Sequence, residues 1–399
     1  MKRTGWLLFL IILLSAPLPA IAELRPGGSL KSLNLYLEAP PGGDNGYGAL
    51  SSNRLRLELT GPWRHGLDVE FALDNQLLFS DPPGYLPLPV AGVNRRLDLD
   101  RSWNDGGRWA DRLQVDRANL AGSHAGFNWR LGRQALGFGR IALVSPLDVI
   151  APFPPDAIDT DVRPGVDAVN LVRYFGLGGQ IGTTVVFGDS SRHNSYLLTL
   201  TENRGGVDLL AIVGSLRHRS LLGLGLAGSL GPLGLKGEVA GYQGTSSGEP
   251  GGDPARHFAI AAVETWYRFD VGLVLLAEYL YNGPGSSEPA AYPTVWAGAP
   301  FREGLSFLAG RHYLLLGPSW EVHPLLRLDG LVIANLDDGS CLLRPLAEIS
   351  LSDAATLQLF WNFSRGPAPR STAPPFPATP RSEFGTTGAS GGLFLQYFL

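Results

Sequence analysis

Between residues 112 and 174 the chain gathers most of the charged side chains whose types and spacing could do chemistry. Arg117, Arg130, Arg133, Arg140, Arg163 and Arg173 are interspersed there with Asp148, Asp156, Asp159, Asp161 and Asp167, while Arg54, Arg56 and Glu70 stand upstream. Guanidinium and carboxylate groups in such number attract, orient or exclude ions by field and by charge-assisted hydrogen bonds, which is recognition rather than bond making. Four aspartates in one loop could also bind calcium through oxygen, but 156, 159, 161 and 167 lack the spacing of a twelve-residue calcium loop. Ion pairs with Arg140, Arg163 and arginines of the surrounding wall are the expected use, and they would hold the loop in place.

Covalent catalysis has little to build on. The seven histidines are scattered among turns, loops and strand ends without metal-ligand spacing. The expectation is a protein with no catalytic residues, no metal and no cofactor. A net charge of −4 argues against a nucleic-acid partner. Cys341 is the sole cysteine, so no internal disulfide forms. At the N-terminus Lys2 and Arg3 precede the apolar run Trp6 to Leu14, then Pro17, Pro19 and Ala20-Ile-Ala22. That order reads as a secretory signal peptide, 1–22, with the folded domain at 23–399. Glu23 is not cysteine, so no lipoprotein anchor is expected.

The elements that must position the charges are strands. Period-two alternation runs through Leu33 to Leu37, Asn53 to Leu59, Leu67 to Leu73 and onward, with small residues on the second face in Leu222-Gly-Leu-Gly-Leu226. About eighteen such runs can be placed, centred on Leu35, Leu57, Phe71, Asp116, Leu131, Leu171, Val185, Leu198, Ile212, Leu224, Gly237, Val263, Leu275, Leu315, Leu328, Leu346, Leu359 and Leu395. The long connections 39–52, 80–111, 136–165, 243–256, 283–308 and 364–390 all follow odd-numbered runs. Sorting of loops by parity is the mark of a membrane-spanning antiparallel up-and-down β-barrel, short turns on one rim and long loops on the other. The last run puts Leu393, Leu395, Tyr397 and Leu399 on one face, which looks like the signal read by the barrel-assembly machinery.

Eighteen strands enclose a lumen too wide for side chains to fill. Loop 136–165, the third on the long-loop rim, is expected to fold into it as a constriction. Alternation is irregular in the fourth to sixth runs, which implies a bulge or a face not meant for lipid. An arginine on a lipid face at mid-depth costs roughly 2–4 kcal/mol, so Arg117 and Arg173 are expected to point inward. Trp63, Trp129, Trp266, Trp320, Trp361, Tyr267, Tyr313 and Tyr397 are candidates for interfacial aromatic girdles.

The motifs Asp116-Arg-Ala-Asn-Leu120, Leu131-Gly-Arg-Gln134, Phe138-Gly139, Ser145-Pro-Leu-Asp148 and Arg163-Pro-Gly-Val-Asp-Ala168 resemble the shared core of a Gram-negative porin-like family. More distantly they are similar to alginate-export and phosphate-selective porins. Relatives commonly carry Trp where this chain has Phe138. The resemblance implies an outer-membrane channel constricted by its inward loop, with outer-membrane lipid, lipopolysaccharide and a small solute as partners. Passive diffusion of small polar or anionic solutes is the first expectation. Export of an acidic polysaccharide, or service as a surface adhesin or assembly scaffold, are the alternatives.

Overall fold

The computed structural model describes residues 24–39, 46–64, 66–82, 93–104, 107–370 and 378–399; the expected signal peptide lies outside them. Its strands are β1 (Arg25–Glu38), β2 (Tyr47–Pro62), β3 (Asp68–Asp81), β4 (Asp100–Trp103), β5 (Trp109–His124), β6 (Phe127–Gln134), β7 (Val166–Phe175), β8 (Gly179–Val186), β9 (Ser195–Arg204), β10 (Val207–Leu216), β11 (Arg219–Leu230), β12 (Leu233–Gln243), β13 (His257–Arg268), β14 (Leu273–Asn282), β15 (His312–His323), β16 (Leu326–Asn335), β17 (Cys341–Ser352), β18 (Ala355–Arg365) and β19 (Ser390–Phe398). Setting β4 aside, each strand pairs antiparallel with its sequence neighbours. β19 pairs with β1 from Ser29↔Phe398 to Leu37↔Ser390, closing a ring of 18 strands. Among the described residues, closure leaves none of the 18 ring strands as an open edge, which is the condition for a sheet to sit in lipid.

Each of the eighteen expected centres lies in a different barrel strand. Every connection on one rim is two to five residues long, and the long loops all lie on the other. The β5–β6 turn shows how short these can be, with Ala125 and Gly126 both at positive φ, 50° and 79°, the twist-matched two-residue form. β4 was not foreseen, because four residues carry too little alternation to register. It pairs only with β5, from Asp100↔Gln114 to Trp103↔Asp111. β6 covers β5 only from Ala118 to His124, so β4 takes the place beside β5 that β6 leaves open above Gln134.

Outside the ring, Leu198, Leu222, Leu224, Leu226, Val263 and Leu395 are exposed, while inward neighbours such as Leu197, Leu221, Ala262 and Phe394 are buried. An exposed apolar belt on a closed sheet is a lipid-facing surface. One stretch reverses the polarity. Register places Ser32, Asn34, Ser51 and Asn53 on the outward face, beside Leu393 and Leu395, and turns Leu33, Leu35 and Leu37 inward. The four polar side chains bond one another (Ser32 Oγ to Asn53 Oδ1 2.8 Å, Asn53 Nδ2 to Ser51 Oγ 3.0 Å, Asn34 Nδ2 to Ser32 Oγ 3.1 Å), which offsets part of the cost of facing lipid. Trp129, Trp320, Trp361 and Tyr397 also face outward, as girdle residues should. Trp266 and Tyr313 correct that expectation. Trp266 shares the inward face of β13 with Glu264, and Tyr313 is fully buried beside exposed Leu314.

The irregular alternation of β5 is a bulge. Ala72 pairs with Arg117 and Leu73 with Val115, leaving Asp116 as the extra residue.

Candidate functional site

The chain leaves the wall at Gln134 and rejoins it at Val166. On one side, three carboxylates of adjacent strands receive its backbone. Glu238 Oε1 accepts from the amides of Arg140 (2.5 Å) and Ile141 (3.2 Å), and its Oε2 from Ser145 Oγ (2.5 Å) and the Leu147 amide (3.3 Å). Glu264 accepts from the Ala142 amide at 2.6 Å, and Glu278 from the Val144 amide at 3.2 Å. On the other side Lys31 of β1 holds Asp159 and Asp161, both at 2.7 Å, Arg54 of β2 lies 3.6 Å from Asp159, and Gln396 of β19 donates to Asp161. Arg344 of β17 donates to the Asp156 carbonyl at 2.6 Å. A segment tied to β12–β14 at one end and to β1, β2 and β19 at the other runs through the inside of the ring.

Small residues make room for it. Leu147 is fully buried against β11, where a Cβ on Gly223 or Gly225 would stand 2.6 or 2.9 Å from its methyl groups. The glycines of Leu222-Gly-Leu-Gly-Leu226 therefore seat the segment while the leucines between them face out. A Cβ on Gly139 would lie 1.7 Å from Ser145 Oγ, so the turn that brings Ser145 to Glu238 requires glycine there. Leu147, Val149 and Ile150 join Ile212, Leu216, Leu221, Tyr242 and Ile260 in one apolar core between segment and wall. Gly223→Val should overpack that seat and cost about 1–3 kcal/mol, measured as a lower midpoint of thermal unfolding, with Gly241→Val as the control because nothing but the Leu222 carbonyl lies near its Cβ.

The return of the segment is fixed by the bulge. Asp116 is 1% exposed; its carboxylate accepts from Arg56 (2.8 Å), Arg95 (3.1 Å), Arg117 and the Gly165 amide (2.9 Å). Arg117 also reaches the Arg163 carbonyl at 2.6 Å, and Asp74 closes the group through Arg54 (2.6 Å) and Arg56 (3.0 Å). Beside it Arg133, 1% exposed, pairs with Asp167 at 2.9 Å and donates to the Val115 and Leu97 carbonyls. The amides of Arg96 and Leu97 donate to the same Asp167. Residues 93–103 thus run along the gap above β6, and Arg133 with Asp167 fills the wall there.

Of the residues expected to line the constriction, Arg54, Arg56, Arg117, Asp148, Asp159, Asp161 and Arg163 meet at the segment or at its bulge anchor. Arg130 pairs with Glu70 at 2.8 Å further toward the short-turn rim. Asp156 contributes its carbonyl, and Arg140 pairs with Asp208 of β10 at 2.8 Å instead of with a loop aspartate. Arg133 and Asp167 are buried in the wall and are not lining residues, because β4 and its lead-in cover them. Arg173 is a second correction: it pairs in register with exposed Ile181 and faces outward, its guanidinium over the Phe127 ring at 5.4 Å. Three residues before Gly176, which opens the turn, it sits at the rim, where the penalty for a charge falls to about 0–1 kcal/mol. Of the four aspartates that could also have bound calcium, Asp159 and Asp161 lie on Lys31 and Asp167 on Arg133, and among the described residues no group of three acid, histidine or cysteine side chains is arranged to hold a metal.

Sequence reasoning missed Lys31, Arg95, Glu238, Glu264, Glu278, Arg344 and Gln396. The signal for Glu238, Glu264 and Glu278 was present, since each is the lone acid of a largely apolar strand. Arg217 was missed as well: it donates to the Ile150 and Glu303 carbonyls, while Arg219 pairs with Asp253 (2.7 Å) and Glu303 (2.6 Å), tying the segment to two outer loops. In the outer loops Glu383 accepts from Tyr313, from Asn335 (2.9 Å) and from the Ala309 amide (2.7 Å), and burial raises its carboxyl above the usual range. Gly244-Thr-Ser-Ser-Gly248 and Gly388-Ala-Ser-Gly-Gly392 match the spacing Gly-x-Ser-x-Gly. Ser246 lies in a loop bonded to Asp253 (3.1 Å) and Ser390 opens β19 bonded to Asn362 (3.0 Å), so neither is the strand-to-helix turn that exposes a nucleophile.

A closed antiparallel ring with one long loop turned inside is the architecture of a porin-type barrel. A solved structure shows the same fold. OccAB1 of Acinetobacter baumannii aligns over 94% of this chain and 96% of its own at 10% identity, with a TM-score of 0.56. A triple mutant of the Rhodopseudomonas blastica porin aligns over 94% and 100% at 12% identity, with a TM-score of 0.46. No family model matches the chain, and no curated protein matches it.

Proposed function

We propose that this protein is an outer-membrane channel through which small polar solutes diffuse passively, with segment 135–165 as its constriction. The observation that carries the proposal is that segment, which crosses the ring and is tied to strands on both sides of it. The apolar belt and the parity of the loops support a place in a membrane, and the signal-peptide pattern supports export to it. A preference for anions is the finer part of the sequence expectation. The cations nearest the segment, Lys31, Arg54, Arg117 and Arg163, are each matched by a carboxylate, so the geometry favours small polar solutes in general.

Purified protein in planar bilayers should give discrete conductance steps. Folded, inserted barrels that carry no current would overturn the proposal. Lys31→Met should leave Asp159 and Asp161 facing each other with Arg54 alone near them, and move the permeability ratio toward cations. The reversal potential in a salt gradient reads this. The shift should be larger at 0.1 M than at 1 M salt, where screening lengths are about 10 and 3 Å.

A further inference from the structure

The polar stretch on the outward face of β1 and β2 continues onto the next two strands of the ring. Leu55↔Asn75 and Leu77↔Asp111 put Asn75 of β3 and Asp111 of β5 on the same face as exposed Leu55 and Leu77, and Asn75 Nδ2 donates to Asp111 Oδ1 at 2.8 Å. Asn53 is the seventh of the 16 residues of β2, so Ser32, Asn34, Ser51 and Asn53 lie near mid-depth, below the stacked rings of Tyr36 and Tyr47 at the outer rim. Midway along β11 the outward residues are instead Leu222, Leu224 and Leu226. The bonds among the four polar side chains use only half of the donor protons that two hydroxyls and two carboxamides carry. The Asn34 side-chain carbonyl receives none from any described residue, and all four side chains are partly exposed. Lipid chains offer such groups no partner, and headgroups lie at the rims.

We infer that the outward face of β1, β2 and β3 is a docking surface for a second copy of this chain, joined through the same face about a two-fold axis along the membrane normal. Serine hydroxyls and asparagine carboxamides both give and accept hydrogen bonds. A surface built of them is complementary to itself, which is what a two-fold contact requires. With the axis over β2, Ser51 and Asn53 meet their own counterparts, and Ser32 and Asn34 of β1 meet Asn75 of β3. Asp111, the third residue of β5, is held by Asn75 and lies toward the rim, at the margin of the contact. Ser32, Ala49 and Ser51 are small, so two sheets can approach closely, and close packing with shared polar groups is what joins membrane spans inside lipid. An apolar partner would cover the remaining donors without serving them. The inference goes beyond the channel proposal: it rests on the barrel's place in a membrane and not on conduction.

The test is the rate of disulfide formation in vesicles of phosphatidylethanolamine and phosphatidylglycerol, with the full-length folded barrel carrying Cys341→Ser and one introduced cysteine. Asn53→Cys should link to its counterpart in a second copy about tenfold faster than Leu224→Cys, because a docked partner raises the local concentration. Leu224 is the control because it faces outward midway along β11, eight strands from β2 round the ring. Adding Ser32→Leu and Asn34→Leu to the Asn53→Cys barrel should slow its linking by about tenfold, the weight of a few interchain hydrogen bonds in lipid. Both leucines extend the apolar belt and neither touches the lumen, so the ring should fold as before. Equal rates at the two positions, no linked product from folded barrels, or a rate unchanged by the two leucines would each overturn the interface. Should the leucine variant fail to fold, the ratio of Asn53→Cys to Leu224→Cys still decides. Barrels that pair but never conduct keep the interface and lose the channel; barrels that conduct but never link lose only the interface.

Discussion

Glu238→Ala should release the inner segment and raise both the single-channel conductance and its noise. One carboxylate accepts the amides of Arg140, Ile141 and Leu147 and the Ser145 hydroxyl. Each hydrogen bond to a charged acceptor is worth about 1.5–3 kcal/mol, so their joint loss exceeds what the apolar seat of Leu147, about 1.5–3 kcal/mol, can hold. Glu264 and Glu278 would retain only the Ala142 and Val144 amides. The ring itself should survive, because the Glu238 backbone stays in the β12 ladders. Ser145→Ala removes one of the four bonds and should give a smaller rise; Glu238→Gln, which keeps one oxygen, should fall between. Recordings of all three variants in the same bilayers provide the ranking. Unaltered conductance in Glu238→Ala, with the barrel folded, would show that the carboxylate does not anchor the segment.

Asp116→Ala should be the most damaging single change in the wall. Arg56, Arg95 and Arg117 converge on this carboxylate in a buried space, and the Gly165 amide joins them. Removing one partner of a buried ionic group leaves uncompensated charge and costs about 3–5 kcal/mol. Here three cations lose it together, with Glu70, Glu58 and Asp74 as the remaining acids nearby. The midpoint of thermal or urea unfolding should drop and the yield of folded barrel should fall. Arg130→Ala is the useful contrast. Its side chain is 44% exposed, and its solvent-screened pair with Glu70 contributes about 0–1 kcal/mol. If Asp116→Ala unfolds at the same midpoint as Arg130→Ala, the bulge network is not what fixes the return of the segment.

The bulge shows how a flaw in a pattern carries information. Val115, Arg117 and Asn119 break the alternation, which leaves either a bulge or a face not meant for lipid, and the cost of a charge in lipid turns Arg117 inward. That held, because one extra residue in a ladder moves every later side chain to the other face. The same argument failed for Arg173. Its strand has no bulge, and its depth, which decides the cost of a charge in lipid, is set by the turn at Gly176 and not by composition. Arg133 misled in another way. It was placed at the mouth of a pore because it precedes the long loop, but a distant stretch, Arg95 to Leu99, closes over it.

What the sequence determined by itself was the number and order of the barrel strands, the parity of the loops and the stretch that leaves the wall. These follow from local periodicity and turn chemistry, which a chain displays residue by residue. The tertiary structure alone decided which charges meet. Lys31 and Asp159 are 128 positions apart, Glu238 and Arg140 are 98, and no local pattern relates them. Sheet closure brings β1 beside β19 and sets β12–β14 across the lumen from them. Only then do a lysine, three glutamates and a pair of glycines in the wall acquire a common task, holding the segment between Gln134 and Val166.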